Sequence, residues 1–503
     1  MVSKVKSLGL SGISGYEVSV ECYLSMGLPA FDIVGLPDAA VKEARERVRA
    51  ATKTCGFKWP VSRITVNLAP ADKRKAGTVY DLPMMVGILV SAGFLDYVGE
   101  DIAFFGELSL SGELRHVPGA LPMALCAGRN GISHLFVPAD NAEEAAYAAN
   151  VNVYPVQHIK QLIEHLQGGE QIVPVSPCEL IIGNNYGSDF SEVKGQENVK
   201  RALEIAAAGG HNILLAGPPG AGKSMLAKRL PTILPDMSRE EMLETTEIHS
   251  VMGLTNRENP IMTERPFRSP HHTVSATAMS GGTSIPKPGE ISLAHNGVLF
   301  LDEMPEFSRD VLETLRQPLE DGKVTISRAA SSVTYPSRFM LVCAMNPCKC
   351  GWYGHHSDRC ICSENSVKKY HERLSGPLLD RIDMYIVTPS LEYDELRERA
   401  TAESSENIRA RVNAARELQR KRYEGTGLSC NAHIGSKQIE KYCSLSPDCE
   451  KLMRDAYTRL AMTARSYDRI LRVAKTISDL DGAENIAVTH LAEAIQYRMN
   501  IFR

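Results

Sequence analysis

One octapeptide constrains the fold of this 503-residue chain more than any other feature. Residues 217–224 match the pattern G-x-x-x-x-G-K-[ST] at every fixed position, and they lie between the apolar run Ile213–Ala216 and a helical segment. This context predicts an α/β core in which backbone N–H groups surround a phosphate. The predicted phosphate-binding residues are Gly217, Pro218, Pro219, Gly220, Ala221, Gly222, Lys223 and Ser224.

Composition is typical of a soluble globular protein, with 43% apolar and 23% charged residues. No apolar run approaches the ~18 residues needed to span a bilayer, and none near the N-terminus is long enough for a signal peptide. Twelve cysteines without such a signal predict a reducing compartment, the cytoplasm. The net charge of -4 does not exclude nucleic acid, because a ring-shaped protein needs positive charge only along its pore.

The chain is long enough for about three folding units. Residues 1–166 mix alternating and helical apolar patterns, which predicts a compact α+β or α/β domain. Residues 167–188 are rich in glycine, proline and asparagine and are predicted to be a linker. Residues 189–390 are predicted to form the nucleotide-binding core, and residues 391–503, which are mostly helical in pattern, a separate lid.

Two further apolar runs predict buried strands of a parallel sheet, Val298–Leu301 and Phe339–Val342. Adjacent acids are costly at the end of a buried strand without a function. We therefore expect Asp302 to hold Mg²⁺ and Glu303 to orient or deprotonate the attacking water, the alternative being a solvated strand end. Asn346 follows the third strand and is expected to hold the γ-phosphate or the water, although asparagine before proline is also a common turn former.

Arginines complete the predicted site. Arg381 could be an arginine finger that reaches the nucleotide of a neighbouring subunit, the alternative being an ion pair with Asp380 or Asp383. Arg465 is predicted to sense the γ-phosphate of its own chain, whereas Arg472, two helical turns later, could equally be structural. A finger supplied by a neighbour implies a head-to-tail contact that closes into a ring, and we expect a homo-hexamer.

Several longer segments carry a family resemblance. Besides residues 217–224 and 302–303, they are Arg268–Thr273, Pro288–His295, Ser375–Arg381 and Leu471–Lys475. The chain resembles, essentially end to end, the Mg-chelatase-like AAA+ ATPases of the ComM/YifB type. The resemblance implies ATP and Mg²⁺ as cofactors and a hexameric DNA helicase that drives branch migration in homologous recombination and natural transformation. It also implies single-stranded and branched DNA as substrates and a recombinase as partner.

The first domain is similar to the Lon-protease-like, S5-like fold, notably through Phe105–Leu114 and Val137–Asn141. A Lon-type enzyme needs a serine nucleophile and an activating lysine. The corresponding stretches here, Ala76–Leu82 and Gly119–Met123, contain neither group. A non-proteolytic domain that assists assembly or DNA contact is therefore expected; its basic loop, Lys73–Lys75, could equally be a solvated surface.

Two inserts in the core resemble hairpins. The family resemblance implies an extra hairpin between Pro266 and Ala294. Alternating residues in Lys323–Arg328 and Val333–Tyr335, around a small polar tip, predict a second one. In a ring such a tip could grip a phosphate backbone through Lys323 or Arg328, the alternative being a structural hairpin with solvated cations.

Four closely spaced cysteines follow Asn346: Cys348, Cys350, Cys360 and Cys362, with His355 and His356 between the pairs. Paired thiols of this kind could form a structural zinc site, although C-x-C is tighter than the usual C-x₂-C. Free cytosolic cysteines are the alternative.

Two other functions are consistent with the core. One is a chelatase-type motor acting on a protein or tetrapyrrole-bearing partner, which the related family suggests. The other is a protein-remodelling ATPase or a Lon-like peptidase, against which stand the missing serine and lysine and the lack of an evident aromatic pore loop. A fold by itself does not settle the substrate.

Overall fold

The computed structural model describes residues 2–177, 187–282, 286–328, 331–355, 359–390, 402–460 and 462–498, without the side chains of Arg328 and Ser331. The chain divides into two compact units. The first comprises residues 1–181 together with 242–262, and the second comprises residues 182–241 and 263–503. Among the described residues, no helix combines the length and the apolar character that a membrane crossing needs.

The first unit is built on a mixed sheet flanked by helices. Its strands are β1 (Val2–Ser11), β2 (Ser14–Ser25), β3 (Ala30–Val34), β4 (Arg63–Ala69), β5 (Ile102–Phe104), β6 (Glu107–Leu108), β7 (Leu114–Arg115), β8 (His134–Pro138) and β9 (Asn152–Val156). Its helices are α1 (Ala39–Thr54), α2 (Asp81–Ser91), α3 (Ala120–Arg129), α4 (Ala139–Ala145) and α5 (Ile159–Leu166).

The strand order of this sheet is β3-β4-β2-β1-β5-β8-β9, so β3 lies at one edge. Strands β1 and β2 form a long antiparallel hairpin, whereas β5, β8 and β9 run parallel to β1. Burial alternates along β2, as expected for a strand with one face in the core. Helix α2 is buried throughout, while α1 buries only one side and leaves a polar face exposed.

Part of the predicted linker is attached to this sheet. The backbone N–H of Val175 donates to the carbonyl oxygen of Val153 at 2.8 Å, which forms an antiparallel bridge to β9. The linker therefore begins as an extension of the first unit. Residues 178–186 of the predicted linker lie outside the described part of the chain.

The second unit contains a five-stranded, fully parallel sheet with the order β11-β12-β15-β10-β16. Every residue of β10, β12 and β15 is buried, as expected for parallel strands covered on both faces. The predicted parallel sheet is therefore confirmed, with the third strand starting one residue later than predicted. The strands of this unit are β10 (Ile213–Ala216), β11 (Phe267–Arg268), β12 (Val298–Leu301), β13 (Lys323–Arg328), β14 (Ser331–Pro336), β15 (Met340–Met345) and β16 (Met384–Val387).

Helices surround this sheet and make up most of residues 402–498. Helix α8 contributes residues to both units. The helices are α6 (Glu197–Gly209), α7 (Lys223–Arg229), α8 (Arg239–Val251), α9 (Ala276–Ser280), α10 (Glu290–Leu293), α11 (Arg309–Thr314), α12 (Arg316–Asp321), α13 (Glu364–His371), α14 (Gly376–Leu379), α15 (Ser405–Arg422), α16 (Ser436–Tyr442), α17 (Pro447–Arg459), α18 (Ala464–Leu480) and α19 (Val488–Gln496).

The two inserts differ in form. Strands β13 and β14 pair antiparallel from Lys323 opposite Pro336 to Arg328 opposite Ser331, so the second predicted hairpin is present. Its second arm begins two residues earlier than predicted, and residues 329–330 lie outside the described part. In the insert between Pro266 and Ala294, α9 and α10 flank an antiparallel bridge between Gly281 and Pro288, while residues 283–285 are not described.

Candidate nucleotide-binding site

The glycine-rich loop, residues 217–222, joins β10 to α7. Gly220 and Gly222 have φ angles of 80° and 79°, in the left-handed region that favours glycine. A Cβ atom on Gly217 would lie 2.2 Å from the carbonyl oxygen of Thr388, so this position also has no room for a side chain. Glycine is therefore favoured by backbone conformation at two of these positions and by space at the third.

Lys223 lies at the start of α7, and its ammonium group is held inside the loop. Its Nζ donates to the carbonyl oxygens of Gly217 (2.6 Å) and Pro218 (2.9 Å) and to Oδ1 of Asn346 (3.1 Å). Burial lowers the pKa of Lys223, although nearby carboxylates oppose the shift. The motif lysine and the predicted sensor Asn346 are thus in direct contact.

Ser224 and Asp302 form a second contact of the site. The Ser224 hydroxyl donates to Oδ2 of Asp302 at 2.7 Å, which places two oxygen ligands suited to Mg²⁺ side by side. The next residue, Glu303, is exposed and has a φ angle of 52°. A non-glycine residue in this region costs about 1–3 kcal/mol, and such residues cluster at functional sites. The backbone N–H of Glu303 donates to Oδ1 of Asp302 (3.1 Å).

The parallel sheet explains why these residues meet. Strands β12, β15 and β10 are neighbours, and Asp302, Asn346 and the glycine-rich loop each follow the carboxyl end of one of them. Carboxyl ends of parallel strands share one edge of a sheet, where open α/β folds bind their ligands. The predicted residues of three separate segments therefore converge at one site.

The predicted finger, Arg381, lies at the opposite edge of the same sheet. It precedes β16, and its carbonyl oxygen accepts a hydrogen bond from Nδ2 of Asn212, the residue before β10 (2.9 Å). Arg381 is only 7% exposed, and its Nη1 donates to the carbonyl oxygen of Pro377 (2.6 Å). Its ion-pair partner is Glu320 rather than either of the aspartates considered from the sequence. Burial lowers the pKa of Arg381, with Glu320 opposing the shift.

Arg465 also lies at this amino edge. Its Nη1 is 3.6 Å from a carboxylate oxygen of Asp380, next to Arg381 in the chain. Arg469, one turn later on α18, pairs with Asp383, the residue before β16. The prediction that Arg465 senses the phosphate of its own chain would require this exposed side chain to leave Asp380, because the glycine-rich loop lies at the carboxyl edge. Helix α18 thus brings Arg465 and Arg469 to the segment 380–383, which contains Arg381.

A cavity of about 400 Å³ lies beside Arg381 at this edge. Arg381, Arg469 and Arg472 line it, together with Asp383. Burial would favour a neutral Asp383, but Arg469 and His211 outweigh it and hold the pKa of this carboxyl below its usual range. Within the described residues, Nε of Arg381 and Nε of Arg472 are buried without a hydrogen-bond partner. The amino edge therefore gathers three arginines around one cavity, and two of them have a buried Nε without a partner in the described part of the chain.

The four predicted cysteines come together. Their sulfur atoms all lie within 4.8 Å of one another, and the Sγ atom of Cys360 is 3.9 Å from that of Cys348 and 3.7 Å from that of Cys350. Four sulfurs bound tetrahedrally to one zinc ion stand about 3.8 Å apart, given Zn–S bonds of about 2.3 Å. The geometry and the donor set therefore fit zinc. His355 is 3.4 Å from the Ser390 hydroxyl, and His356 lies outside the described residues.

The candidate DNA-contacting cations occupy opposite ends of their hairpin. Lys323 opens β13 opposite Pro336, at the base of the hairpin, and its side chain is exposed. Arg328 closes β13 opposite Ser331, next to the tip. Five strand steps separate the two, or about 17 Å. Only Arg328 is placed as the tip hypothesis requires; its side chain lies outside the described part.

Gln196 is a residue of the site that was not predicted from the sequence. It precedes α6 and contacts the glycine-rich loop. Its Nε2 donates to the carbonyl oxygen of Ala221 (2.7 Å) and, more weakly, to that of Pro389 (3.3 Å). Its φ angle of 58° is again in the left-handed region. A single glutamine carries no distinctive spacing, so only the neighbouring Gly195 could have drawn attention to this turn.

Comparisons with known proteins identify the family. Profiles described as "Magnesium chelatase, subunit ChlI", "Subunit ChlI of Mg-chelatase" and "Magnesium chelatase, subunit ChlI C-terminal" match residues 189–396, 20–141 and 402–498, respectively. The chain is 43% identical to Competence protein ComM of Haemophilus influenzae, over 98% of this chain and 97% of that protein. It is 42% identical to YifB of Salmonella typhimurium, over 97% and 95%.

A more distant match is the magnesium-chelatase 67 kDa subunit of Heliobacterium mobile, which is 28% identical over 34% of this chain and 30% of that subunit. The similarity to ComM and YifB, in contrast, extends over nearly the full length of both partners. Together with the α/β core and its parallel sheet, it shows that the chain belongs to the ComM/YifB family of Mg-chelatase-like AAA+ proteins.

Proposed function

We propose that this protein is an ATP-dependent DNA helicase that promotes branch migration during homologous recombination and natural transformation. The observation that carries the ATPase part is the convergence of Lys223, Ser224, Asp302 and Asn346 at the carboxyl edge of the parallel sheet. The DNA part is supported by the full-length similarity to a protein named for competence. Single-stranded and branched DNA are the proposed substrates, a recombinase the proposed partner and the cytoplasm the proposed location.

Each residue at the carboxyl edge is assigned a separate role in ATP hydrolysis. Bound Mg²⁺ would neutralise the phosphate charge that develops during transfer. Ser224 and Asp302 are the residues that would hold it, and Lys223 exchanges its carbonyl partners for the β- and γ-phosphates. Glu303 orients or deprotonates the attacking water. Asn346, whose Oδ1 accepts a hydrogen bond from Nζ of Lys223, holds the γ-phosphate or that water.

The residues of the amino edge act on a neighbouring subunit. Arg381 and Arg465 lie at the edge opposite their own glycine-rich loop, so a head-to-tail contact would present both to the nucleotide of the next chain. A shared site of this kind requires a ring, and we propose a homo-hexamer. Within it, residues 391–503 form the helical lid of the 189–390 core, of which residues 242–262 group with the first unit.

The N-terminal domain, residues 1–166, is proposed to have a Lon-protease-like, S5-like fold without protease activity, joined to the core by the linker 167–188. Support comes from the strings Phe105–Leu114 and Val137–Asn141 and from the match of residues 20–141 to a chelatase-subunit profile. The absence of serine and lysine from the stretches that would carry them argues against proteolysis.

A structural zinc ion is proposed at Cys348, Cys350, Cys360 and Cys362. This loop directly follows Asn346, and it also touches the glycine-rich loop: a Cβ atom on Gly351 would lie 2.5 Å from the ring of Pro219. A tetrathiolate site would fix the loop against both. The zinc would therefore stiffen one wall of the nucleotide site without taking part in hydrolysis.

The deciding experiment measures ATP hydrolysis with and without single-stranded DNA, together with displacement of a labelled strand from a forked duplex. We expect DNA to stimulate hydrolysis and ATP to drive displacement, with Lys223→Ala inactive in both assays. If DNA alters neither hydrolysis nor strand pairing, the helicase proposal is wrong. The chelatase profiles would then favour a motor acting on a protein or tetrapyrrole-bearing partner.

A further inference from the structure

A groove of about 590 Å³ lies on the first unit, and none of its lining residues belongs to the nucleotide site. Its walls come from the edge strand β3, from α1 and from the segment between α1 and β4. The residues that line it are Pro29, Ala30, Phe31, Arg45, Glu46, Arg49, Lys53, Lys58, Trp59, Pro60, Val61 and Ser62.

The groove is strongly basic, although the chain as a whole carries a net charge of -4. Arg45, Arg49 and Lys53 recur every four residues on α1, which places them along one face of the helix. Lys58 adds a fourth cation, and Glu46 is the one acid in the lining. Within the described residues, none of these four cations makes an ion pair. Positive charge of this kind is complementary to a polyanion.

Aromatic surface lies beside these cations. The rings of Phe31 and Trp59 pack at a centroid distance of 5.6 Å and an angle of 48°, and both side chains remain partly exposed. Val61 beside them is 84% exposed. A groove that combines cations with exposed aromatic rings suits single-stranded nucleic acid, because phosphates meet the charges and bases stack on the rings.

The basic loop that the sequence suggested in this unit is a weaker candidate. Lys75 is buried, and its Nζ donates to the carbonyl oxygens of Pro70 and Lys73. Lys73 lies over the ring of Tyr16 at 4.4 Å. Two of the three cations of that loop are therefore engaged within the unit.

We propose that this groove is a second contact site for single-stranded DNA, in which Arg49, Lys53 and Lys58 neutralise phosphates and a base stacks on Trp59. The inference rests on the proposed action on DNA and extends it: the strand is held by the N-terminal unit as well as by the ATPase core.

Trp59 makes the site directly observable, because the chain has only one other tryptophan. In the full-length Trp352→Phe protein, a poly-dT oligonucleotide should quench the fluorescence of Trp59. Arg49→Ala combined with Lys53→Ala should weaken this quenching at least about fivefold and reduce its dependence on salt. The matched control is Lys4→Ala combined with Lys160→Ala. These two cations are exposed in the same unit and lie outside the groove, so the quenching should be unchanged.

Three outcomes would overturn the inference. The oligonucleotide could fail to quench Trp59, the groove variant could bind like its control, or poly-glutamate could quench Trp59 where DNA does not, which would indicate an acidic polypeptide. Total DNA binding, followed in parallel through the anisotropy of a labelled oligonucleotide, separates the two proposals. Binding that persists without involving Trp59 contradicts only the groove, whereas loss of all DNA binding contradicts the proposed function.

Discussion

At the scale of single residues, the candidate site residues separate according to the edge of the sheet at which they lie. Lys223, Asp302 and Asn346 follow strands and meet at the carboxyl edge. Arg381 and Arg465 lie at the amino edge, where Glu320 and Asp380 hold them. Since the two edges lie at opposite ends of β10, the proposal that both groups act on ATP requires Arg381 and Arg465 to reach the nucleotide of a neighbouring chain.

This arrangement predicts a specific pattern when inactive variants are mixed. Lys223→Ala and Arg381→Ala should each lower ATP turnover by at least about 10³-fold. Mixed together, they should recover activity, because about a quarter of the interfaces in a random ring combine an intact Lys223 with an intact Arg381. ATP turnover of the mixture against each variant alone is the measurement. No recovery would argue against a finger supplied by the neighbour.

Arg465 can be assigned by the same method. If Arg465 acts beside Arg381, a mixture of Arg381→Ala and Arg465→Ala contains no interface with both arginines from one chain, and turnover stays low. If Arg465 instead served its own nucleotide, that mixture would recover activity. The Lys223→Ala and Arg465→Ala mixture, which should recover, is the positive control.

At the scale of elements, two loops modify the ATPase core. The cysteine loop between β15 and α13 contacts the glycine-rich loop, and the β13–β14 hairpin forms a separate two-stranded antiparallel sheet. Neither belongs to the five-stranded sheet. We expect the cysteine loop to bind a metal ion and the hairpin to contact DNA.

The cysteine loop should bind about one zinc ion per chain. In protein purified under reducing conditions, elemental analysis should find this metal, and Cys360→Ser with Cys362→Ser should remove it. The same double variant should bind nucleotide less tightly, because the wall against Pro219 loses its anchor. Cys55→Ser with Cys126→Ser changes the same number of thiols and should retain the metal. Metal-free wild-type protein would disprove the site.

The register of the hairpin predicts unequal effects of its two cations. Replacing Arg328, next to the tip, with alanine should lower the stimulation of ATP hydrolysis by DNA several-fold and leave hydrolysis without DNA unchanged. Lys323→Ala removes the same charge at the base and should have little effect. DNA-stimulated and basal hydrolysis rates of both variants are the measurement. Equal losses in the two variants would contradict a contact made by the tip.

At the scale of the whole molecule, the proposed assembly depends on the division of the site between chains. Glu303→Gln should bind ATP but hydrolyse it slowly, and so should hold the ring together. Light scattering with ATP should then give a mass about six times the 55.2 kDa of one chain. Lys223→Ala, which loses its phosphate contacts, should stay smaller under the same conditions. A Glu303→Gln protein that remains monomeric with ATP would contradict the hexamer.

Much of the nucleotide site could be predicted from the sequence, because its parts are local. The glycine-rich loop, the acids after β12 and the asparagine after β15 each follow a buried apolar run, and parallel strands bring such ends to one edge. The four cysteines are also close in sequence, so their cluster needed only one loop to form. Short-range patterns of this kind specify both a strand and the loop at its carboxyl end.

Tertiary structure alone decided where the long cationic side chains lie. Arg381 pairs with Glu320, 61 residues away, and Arg465 meets Asp380 across an even longer gap, so no spacing in the chain identifies their partners. The groove likewise depends on the edge strand β3 standing beside the basic face of α1. The conformation of the glycine-rich loop follows from its own residues, whereas the partner of an arginine depends on how distant segments pack.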